Sequence, residues 1–227
     1  MASKHIGFAT MNQKWNHRLA ELIEDWGFYF RVYPWPKYLS KISKELMQLP
    51  FRHIHYKVYA CSVVKPVQKD CIDSSFVIRR FTSQDVPEVA KINCPSEARL
   101  CAKHLTSGHI GFSVLNKGQL AGYAWAYTKL DPDIERFKIN LEPLDFLCND
   151  AFTSSPFRGR GLQTSLVLVR LNFFRELGYH RAICYIERRN RPSIRVWEKL
   201  EGACIGDISY VRIGSWRCKK YRLRTLQ

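Results

Sequence analysis

From Phe76 onward the apolar positions of the chain switch repeatedly between the two-residue period of strands and the 3.6-residue period of helices. FVIRR, Phe76 to Arg80, is a short strand pattern. Thr82 or Ser83 can cap the helix that follows, which carries Val86, Val89 and Ala90, with Asp85 in its first turn where the helix dipole favours a negative charge. Pro87 limits how much earlier that helix can start. HIGFSVL and LAGYAWAYT then flank the turn Asn116-Lys117-Gly118-Gln119, which predicts a hairpin. After the looser stretch Lys129 to Glu142, a strand is expected over Asp145 to Thr153. Arg160 to Leu177 is amphipathic, with Leu162, Leu166, Val169, Phe173 and Leu177 on one stripe and Gly178 at the end. Arg181 to Ile186 is a strand pattern. A short helix follows over Pro192 to Leu200, with proline in its first turn and Gly202 after its end. Two strands around Gly214-Ser215 close the chain. The predicted order is β-α-β-β-β-α-β-α-β-β, an α/β fold in which helices flank a mixed, mostly antiparallel sheet.

The first seventy-five residues follow a different pattern. Lys14 to Phe30 and Tyr38 to Met47 are helical segments separated by YPWP, because Pro34 and Pro36 cannot continue a helix. Trp15, Trp26, Phe28, Tyr29, Phe30, Tyr33, Trp35 and Tyr38 crowd this region among Lys and Arg. HIHYKVYACSVV has the β-branched and aromatic content of a strand, and the polar segment Lys65 to Ser75 follows it. The expected organisation is therefore a basic, aromatic-rich N-terminal extension over 1–75 and a domain over 76–227. Residues 12–50 suit two roles: peripheral contact with an anionic membrane, or packing onto the following domain.

Composition narrows the class. The hydrophobic share of 46% is ordinary for a globular protein. No apolar run approaches the roughly 18 residues needed to span a bilayer, and Met1 to Gln13 has no signal-peptide core, so a cytoplasmic protein is expected. The eight cysteines suit that compartment as free thiols, and none forms a CxxC or CxxxC pair, so no metal site is expected. The formal net charge of +16 favours anions: nucleic acid, acidic lipid or a polyphosphate cofactor.

The densest chemical signal is Thr153-Ser-Ser-Pro-Phe-Arg-Gly-Arg-Gly-Leu-Gln163. It leaves a strand, turns through Gly159 and Gly161, and opens a long helix, so successive backbone N–H groups and the positive end of a helix dipole face one point. Arg158 and Arg160 add charge-assisted donors suited to phosphate, although a solvated basic turn has the same composition. Some thirty residues later stands Asn190-Arg-Pro-Ser-Ile-Arg-Val-Trp-Glu-Lys-Leu-Glu-Gly202.

Taken together, these two segments resemble the cofactor motifs of the GNAT superfamily of N-acetyltransferases. Arg158, Gly161, Asn190, Ser193, Lys199 and Leu200 fall where that pattern expects them, and Arg79 to Asp85 is similar to the family's first strand and helix cap. The resemblance covers about residues 76–223. It implies acetyl-CoA, or another acyl-CoA, as co-substrate. The turn Arg158, Gly159, Arg160, Gly161, Leu162 and Gln163 would cradle the pyrophosphate. The backbone near Phe152 and Thr153 would pair with the pantetheine arm, and Asn190 would contact the cofactor from the last helix. The reaction it implies is attack on the thioester by an amine of a small molecule or a protein, through a tetrahedral oxyanion held by backbone donors.

Two positions depart from the pattern. Gln163 stands where the family has a final Gly or Ala, and Trp197 replaces its frequent general-acid tyrosine. Indole has no usable acidic proton, which leaves Tyr185, Tyr210 or an unprotonated thiolate leaving group. For the base that accepts the amine's proton, Asp150 is preferred over Asp145, both on the strand that leads into the turn. A strand-end aspartate bonded to backbone is the alternative for Asp150. Tyr123, Trp125 and Tyr127 share one strand face and either line an acceptor pocket or pack against a helix. Rival functions are a GNAT-like acyl-CoA-binding module without catalysis and a nucleic-acid-binding protein; no helix-turn-helix, zinc-finger or RNP signature supports the latter, so nucleic acid is not an expected partner.

Overall fold

The computed structural model of the chain describes residues 20–31, 39, 51–64, 73–129, 141–213 and 216–223. Most of the predicted helix from Tyr38 to Met47, the YPWP linker and the segments 65–72 and 130–140 lie outside the described residues. The described elements are helix α1 (residues 20–31), β1 (Phe51–Ser62), β2 (Phe76–Arg80), a 3-10 turn (Ser83–Asp85) that runs into α2 (Val86–Ile92), α3 (Pro95–Thr106), β3 (Ile110–Asn116), β4 (Gln119–Tyr127), β5 (Asp145–Thr153), α4 (Leu162–Glu176), β6 (Arg181–Glu187), α5 (Arg191–Lys199), β7 (Ala203–Ile213) and β8 (Trp216–Leu223).

One eight-stranded sheet runs β2-β3-β4-β5-β6-β1-β7-β8. Every neighbouring pair is antiparallel except β5 with β6. The β3–β4 hairpin turns through Lys117 and Gly118, both at positive φ, as a tight two-residue connection between twisted strands requires. β1 comes from the segment set apart at the N-terminus, yet it lies inside the sheet. It pairs with β6 from Tyr56 to Ser62 and with β7 from Phe51 to Ala60.

Helices cover both faces. On one, Val89, Ala98 and Cys101 of α2 and α3 pack over Trp125, Tyr127, Leu147, Ile183 and Val58. On the other, Val167, Leu171 and Phe174 of α4, with Ile194 and Trp197 of α5, cover Phe146, Cys148, Ala182 and Cys184. Leu162 and Leu166 extend this layer to Phe112 and Val114. Each large side chain sealed in this way contributes about 1.5–3 kcal/mol. α1 docks on the rim of α3: Phe28 and Tyr29 bury against Cys94, Asp25 accepts from Ser96 Oγ at 2.6 Å, and Arg99 pairs with Glu24 at 2.7 Å.

Two sequence expectations change here. The expected stripe on α4 holds in part: Leu162 and Leu166 are buried and Val169 and Phe173 pack partly buried, but Leu177 is exposed and the sealed face also carries Val167, Arg170, Leu171 and Phe174. The helix sits over the sheet and is covered on a wider arc than a single stripe. Helix α3 was not anticipated. Its buried face is Ala98, Cys101 and His104, small or polar residues that leave no apolar stripe to find.

Candidate acyl-transfer cleft

β5 and β6 are paired only at Asp145–Arg181, Phe146–Ala182 and Leu147–Ile183. Beyond these residues β5 continues along β4 and β6 along β1, so the sheet opens into a wedge. A bulge marks the divergence on β5. Tyr123 faces Phe152 and Trp125 faces Asn149, so Asp150 and Ala151 together oppose Ala124. Asp150 has φ 46, and the extra residue bends the strand and breaks its ladder. The wedge holds a cleft of 370 Å³ lined by Asn149, Asp150 and Ala151 of β5, Tyr185 and Glu187 of β6, and Tyr56 of β1.

The N-termini of α4 and α5 converge on this cleft. Gly161 caps α4 at φ 75, and Gly159 before it has φ 80, conformations that glycine adopts without strain. Arg158 lies beside the turn, where its Nε donates to the Thr153 carbonyl at 3.0 Å. Arg160 reaches back over Phe76 and Phe157, with its guanidinium carbon 5.9 and 6.0 Å from their ring centres. Leu162 is a buried core side chain and offers the turn only its backbone. Gln163 lines the cleft and donates to Ser193 Oγ at 2.7 Å, joining the two helix starts. Asn190 also lines the cleft, and its side chain accepts from Ser193 N at 3.3 Å as the cap of α5. Two helix N-termini facing one cleft supply partial positive charge at its mouth. Of the residues singled out by sequence, Asp150, Gln163 and Asn190 line the cleft. Phe152 and Thr153 lie farther along β5, where Phe152 stacks on Tyr123 and Thr153 pairs with Gly122. Arg158, Gly159, Arg160 and Gly161 form the exposed turn beside it.

Side chains of β4 and α3 reach Asp150. Tyr127 donates to its Oδ2 at 2.6 Å, and His104 Nε2 stands 3.2 Å from the Tyr127 hydroxyl and 3.5 Å from Oδ2. With the phenol donating to the carboxylate, its oxygen is left to accept from His104 Nε2–H. His104 is completely buried and its Nδ1 has no hydrogen-bond partner among the described residues. Sequence reasoning missed His104 because it sits on the helix that was itself missed. Tyr123, Trp125 and Tyr127 take the packing alternative: all three are buried beneath α2 and α3, and burial pushes the Tyr123 phenol far above its ordinary value. Asp145 is occupied elsewhere, since Arg181 grips it at 2.8 and 2.7 Å and it accepts from Glu142 N at 2.9 Å.

Trp197 is buried at the cleft and packs with the α5 core. Of the two tyrosines considered in its place, Tyr185 lines the cleft, whereas Tyr210 packs in the core on the α2–α3 face. A third tyrosine, Tyr56, also lines the cleft, and its ring meets Tyr185 edge to face at 5.7 Å. Among the described residues, no three His, Cys, Asp or Glu side chains gather in an arrangement that holds a metal, and no helix is long and apolar enough to cross a membrane.

Comparison with known proteins agrees with this architecture. No curated protein sequence matches the chain. Among solved structures, it is similar to a tandem GNAT protein from the clavulanic acid biosynthesis pathway, with TM-score 0.55 and 13% identity over 82% of this chain and 59% of that one. A GCN5-related N-acetyltransferase from Sphaerobacter thermophilus gives TM-score 0.53 and 12% identity over 82% and 58%. A Drosophila protein gives 0.54 and 11% over 78% and 57%. The chain thus spans less than two thirds of the length of each of these structures, and likeness at such identity is a likeness of fold. The family described as "Acetyltransferase (GNAT) family" matches residues 78–202, more than half of the sequence and the part that holds β5, the glycine turn and both helix starts. The chain belongs to the GNAT acetyltransferase family.

Proposed function

We propose that the chain transfers an acyl group from an acyl-CoA to an amine in the wedge between β5 and β6. The observation that carries this reading is the bulge of β5. It stands where the sheet opens, presents Asp150 to the cleft, and lies beside two helix N-termini and a glycine turn. Backbone donors of the turn and the guanidinium of Arg158 suit the pyrophosphate, and the wedge suits an extended thioester arm. The family description points to acetyl as the acyl group to test first.

The chemistry then follows from the cleft's own residues. An amine is protonated at neutral pH and must lose a proton before or during attack. Asp150, fixed by the Tyr127 hydroxyl, accepts it directly or through a water. Glu97 and Glu187 also line the cleft, so with Asp150 the acceptor side carries three carboxylates that favour a cationic amine. Tyr185 and Tyr56 both line the cleft, and either hydroxyl would serve to protonate the departing thiolate. The acceptor is an amine of a small molecule or of a protein.

Calorimetry with acetyl-CoA tests the donor half of the reading. Binding is expected, and Arg158→Glu should weaken it by setting a negative charge beside the phosphates; an unweakened variant would remove the turn from the site. Thiol release in the presence of a panel of amines tests the reaction. Asp150→Asn should lower the rate by about 10² to 10⁴ while leaving acetyl-CoA binding in place. Binding without release of CoA for any amine would leave a family member that binds the thioester and does not turn it over.

A further inference from the structure

Arg170 is the least expected residue of α4. It is only 2% exposed, yet it lies mid-helix on the sealed face and lines the cleft. Its guanidinium is tied to carbonyls alone: Nε donates to Leu166 O at 3.1 Å, and Nη1 donates to Trp125 O at 2.7 Å and Asn149 O at 3.3 Å. Among the described residues no carboxylate lies within ion-pairing distance of it, and Nη2 has no hydrogen-bond partner. Carbonyl dipoles orient a cation but do not neutralise it, and charges buried in proteins are as a rule paired.

The neighbouring thiols cannot supply the missing charge. Cys148 and Cys184 share this part of the cleft and feel Arg170, which draws their thiols toward ionisation. Burial outweighs that pull, holding Cys148 at about 11 and Cys184 well above its ordinary value, so both are neutral thiols at pH 7. Asp150, Glu97 and Glu187 line the same cleft without forming an ion pair with the guanidinium, so its charge is met there only at longer range.

We infer that Arg170 is a binding residue for an anionic acyl group, so that the preferred donor is the CoA thioester of a short dicarboxylic acid, with the free carboxylate on the Arg170 guanidinium. This rests on the acyl-CoA reading and sharpens its donor. The geometry suits the length of such a group. Nη1 contacts the carbonyl of Asn149, the residue just before the Asp150 bulge. One residue of strand advances about 3.3 Å, so an acyl chain of about three to five carbons joins a thioester at the bulge to the guanidinium. With Nε and Nη1 spent on carbonyls, Nη2 is the donor left for that carboxylate.

The test is calorimetric and needs no acceptor. CoA, acetyl-CoA, butyryl-CoA, malonyl-CoA and succinyl-CoA are titrated into the full-length protein at two salt concentrations. The dicarboxylic thioesters should bind about 10- to 100-fold more tightly than butyryl-CoA, with little loss in high salt because the contact is buried. Arg170→Gln should collapse that ratio, and Arg170→Lys should retain part of it. Equal affinity of the unaltered protein for succinyl-CoA and butyryl-CoA overturns the inference even if Arg170→Gln fails to fold. Failure of CoA itself to bind would instead overturn the acyl-CoA reading beneath it.

Discussion

Gly122 sets how closely β4 and β5 approach beside the bulge. A Cβ built on it would stand 2.5 Å from the Phe152 carbonyl oxygen and 3.3 Å from Thr153 Cα, and backbone cannot swing aside as a side chain can. Gly122→Ala should therefore cost about 1–3 kcal/mol in thermal melts and also weaken acetyl-CoA binding, because the displaced strand carries Asp150. A variant that melts like the parent and binds as well would show that the bulge tolerates movement. Asp85, just past the end of β2, contributes to stability against acid. Burial alone would raise its carboxyl, but Arg79 at 2.7 and 2.8 Å, Thr82 N at 2.9 Å and Ser113 Oγ at 2.8 Å outweigh burial and hold it below the ordinary 3.8. A carboxyl depressed on folding stabilises fully above its unfolded value, and that contribution is lost as pH falls through the folded one. Stability should thus be level in this group's contribution at neutral pH and decline below about pH 4. Asp85→Asn should lose about 2–3 kcal/mol at pH 7 and show a shallower acid decline, read from denaturant midpoints across pH. The sequence showed Asp85 only as a helix-turn acid; its three other partners come from two strands and a corner that no local pattern connects.

At the scale of elements, local signals located most of what the cleft is made of. β2 and β5 lie where period and turn residues predicted them, and α4 begins and ends at glycines that stand outside the helix at positive φ. Gln163 and Asn190 could be named because the family resemblance rests on short motifs, and Asp150 because it stands on the strand that leads into the turn. His104 could not, and neither could Arg170, because each becomes meaningful only when a helix is laid over a particular strand. Helix α3 shows the physical reason most clearly. It is half-buried by contacts on both sides, so α2, the sheet and α1 supply what its own sequence lacks. The contact with α1 is testable. Asp25 accepts from Ser96 N at 3.3 Å as well as from Ser96 Oγ, so one helix places a carboxylate at the other's positive end. Asp25→Ala should cost about 1–2 kcal/mol, the range of a lost helix cap, and should hasten proteolysis within residues 20–31. Unchanged melting and unchanged cleavage together would mean that α1 contributes nothing to holding α3.

For the whole molecule, the question is what the N-terminal segment does for the rest. Composition divides the chain near residue 75, where a polar stretch follows a basic, aromatic-rich region. Space is arranged differently, because β1 from that region fills the gap between β6 and β7. Its second half is apolar toward both helix layers: Val58 and Ala60 face one, Tyr59 and Cys61 the other. A strand covered on both faces shows a continuous apolar run, which marks burial but not the partner, and the partners here are more than a hundred residues away. Removing β1 would leave the inner edges of β6 and β7 without their hydrogen-bonded neighbour. Each lost backbone bond forfeits about 1 kcal/mol, and the exposed edges would invite association. A chain beginning at Asp73 should therefore be insoluble or melt far below the full-length protein. The same segment tests the membrane alternative. In the described part of α1, Phe28 and Tyr29 are spent on α3, leaving Ile23 and Phe30 outward among charged neighbours. The full-length protein should accordingly stay in the supernatant with anionic vesicles at physiological salt. Sedimentation that weakens at high salt, together with a soluble truncated chain that binds acetyl-CoA as the parent does, would make the segment a detachable anchor. That pair of results cannot be reconciled with a strand held on both sides in the middle of the sheet.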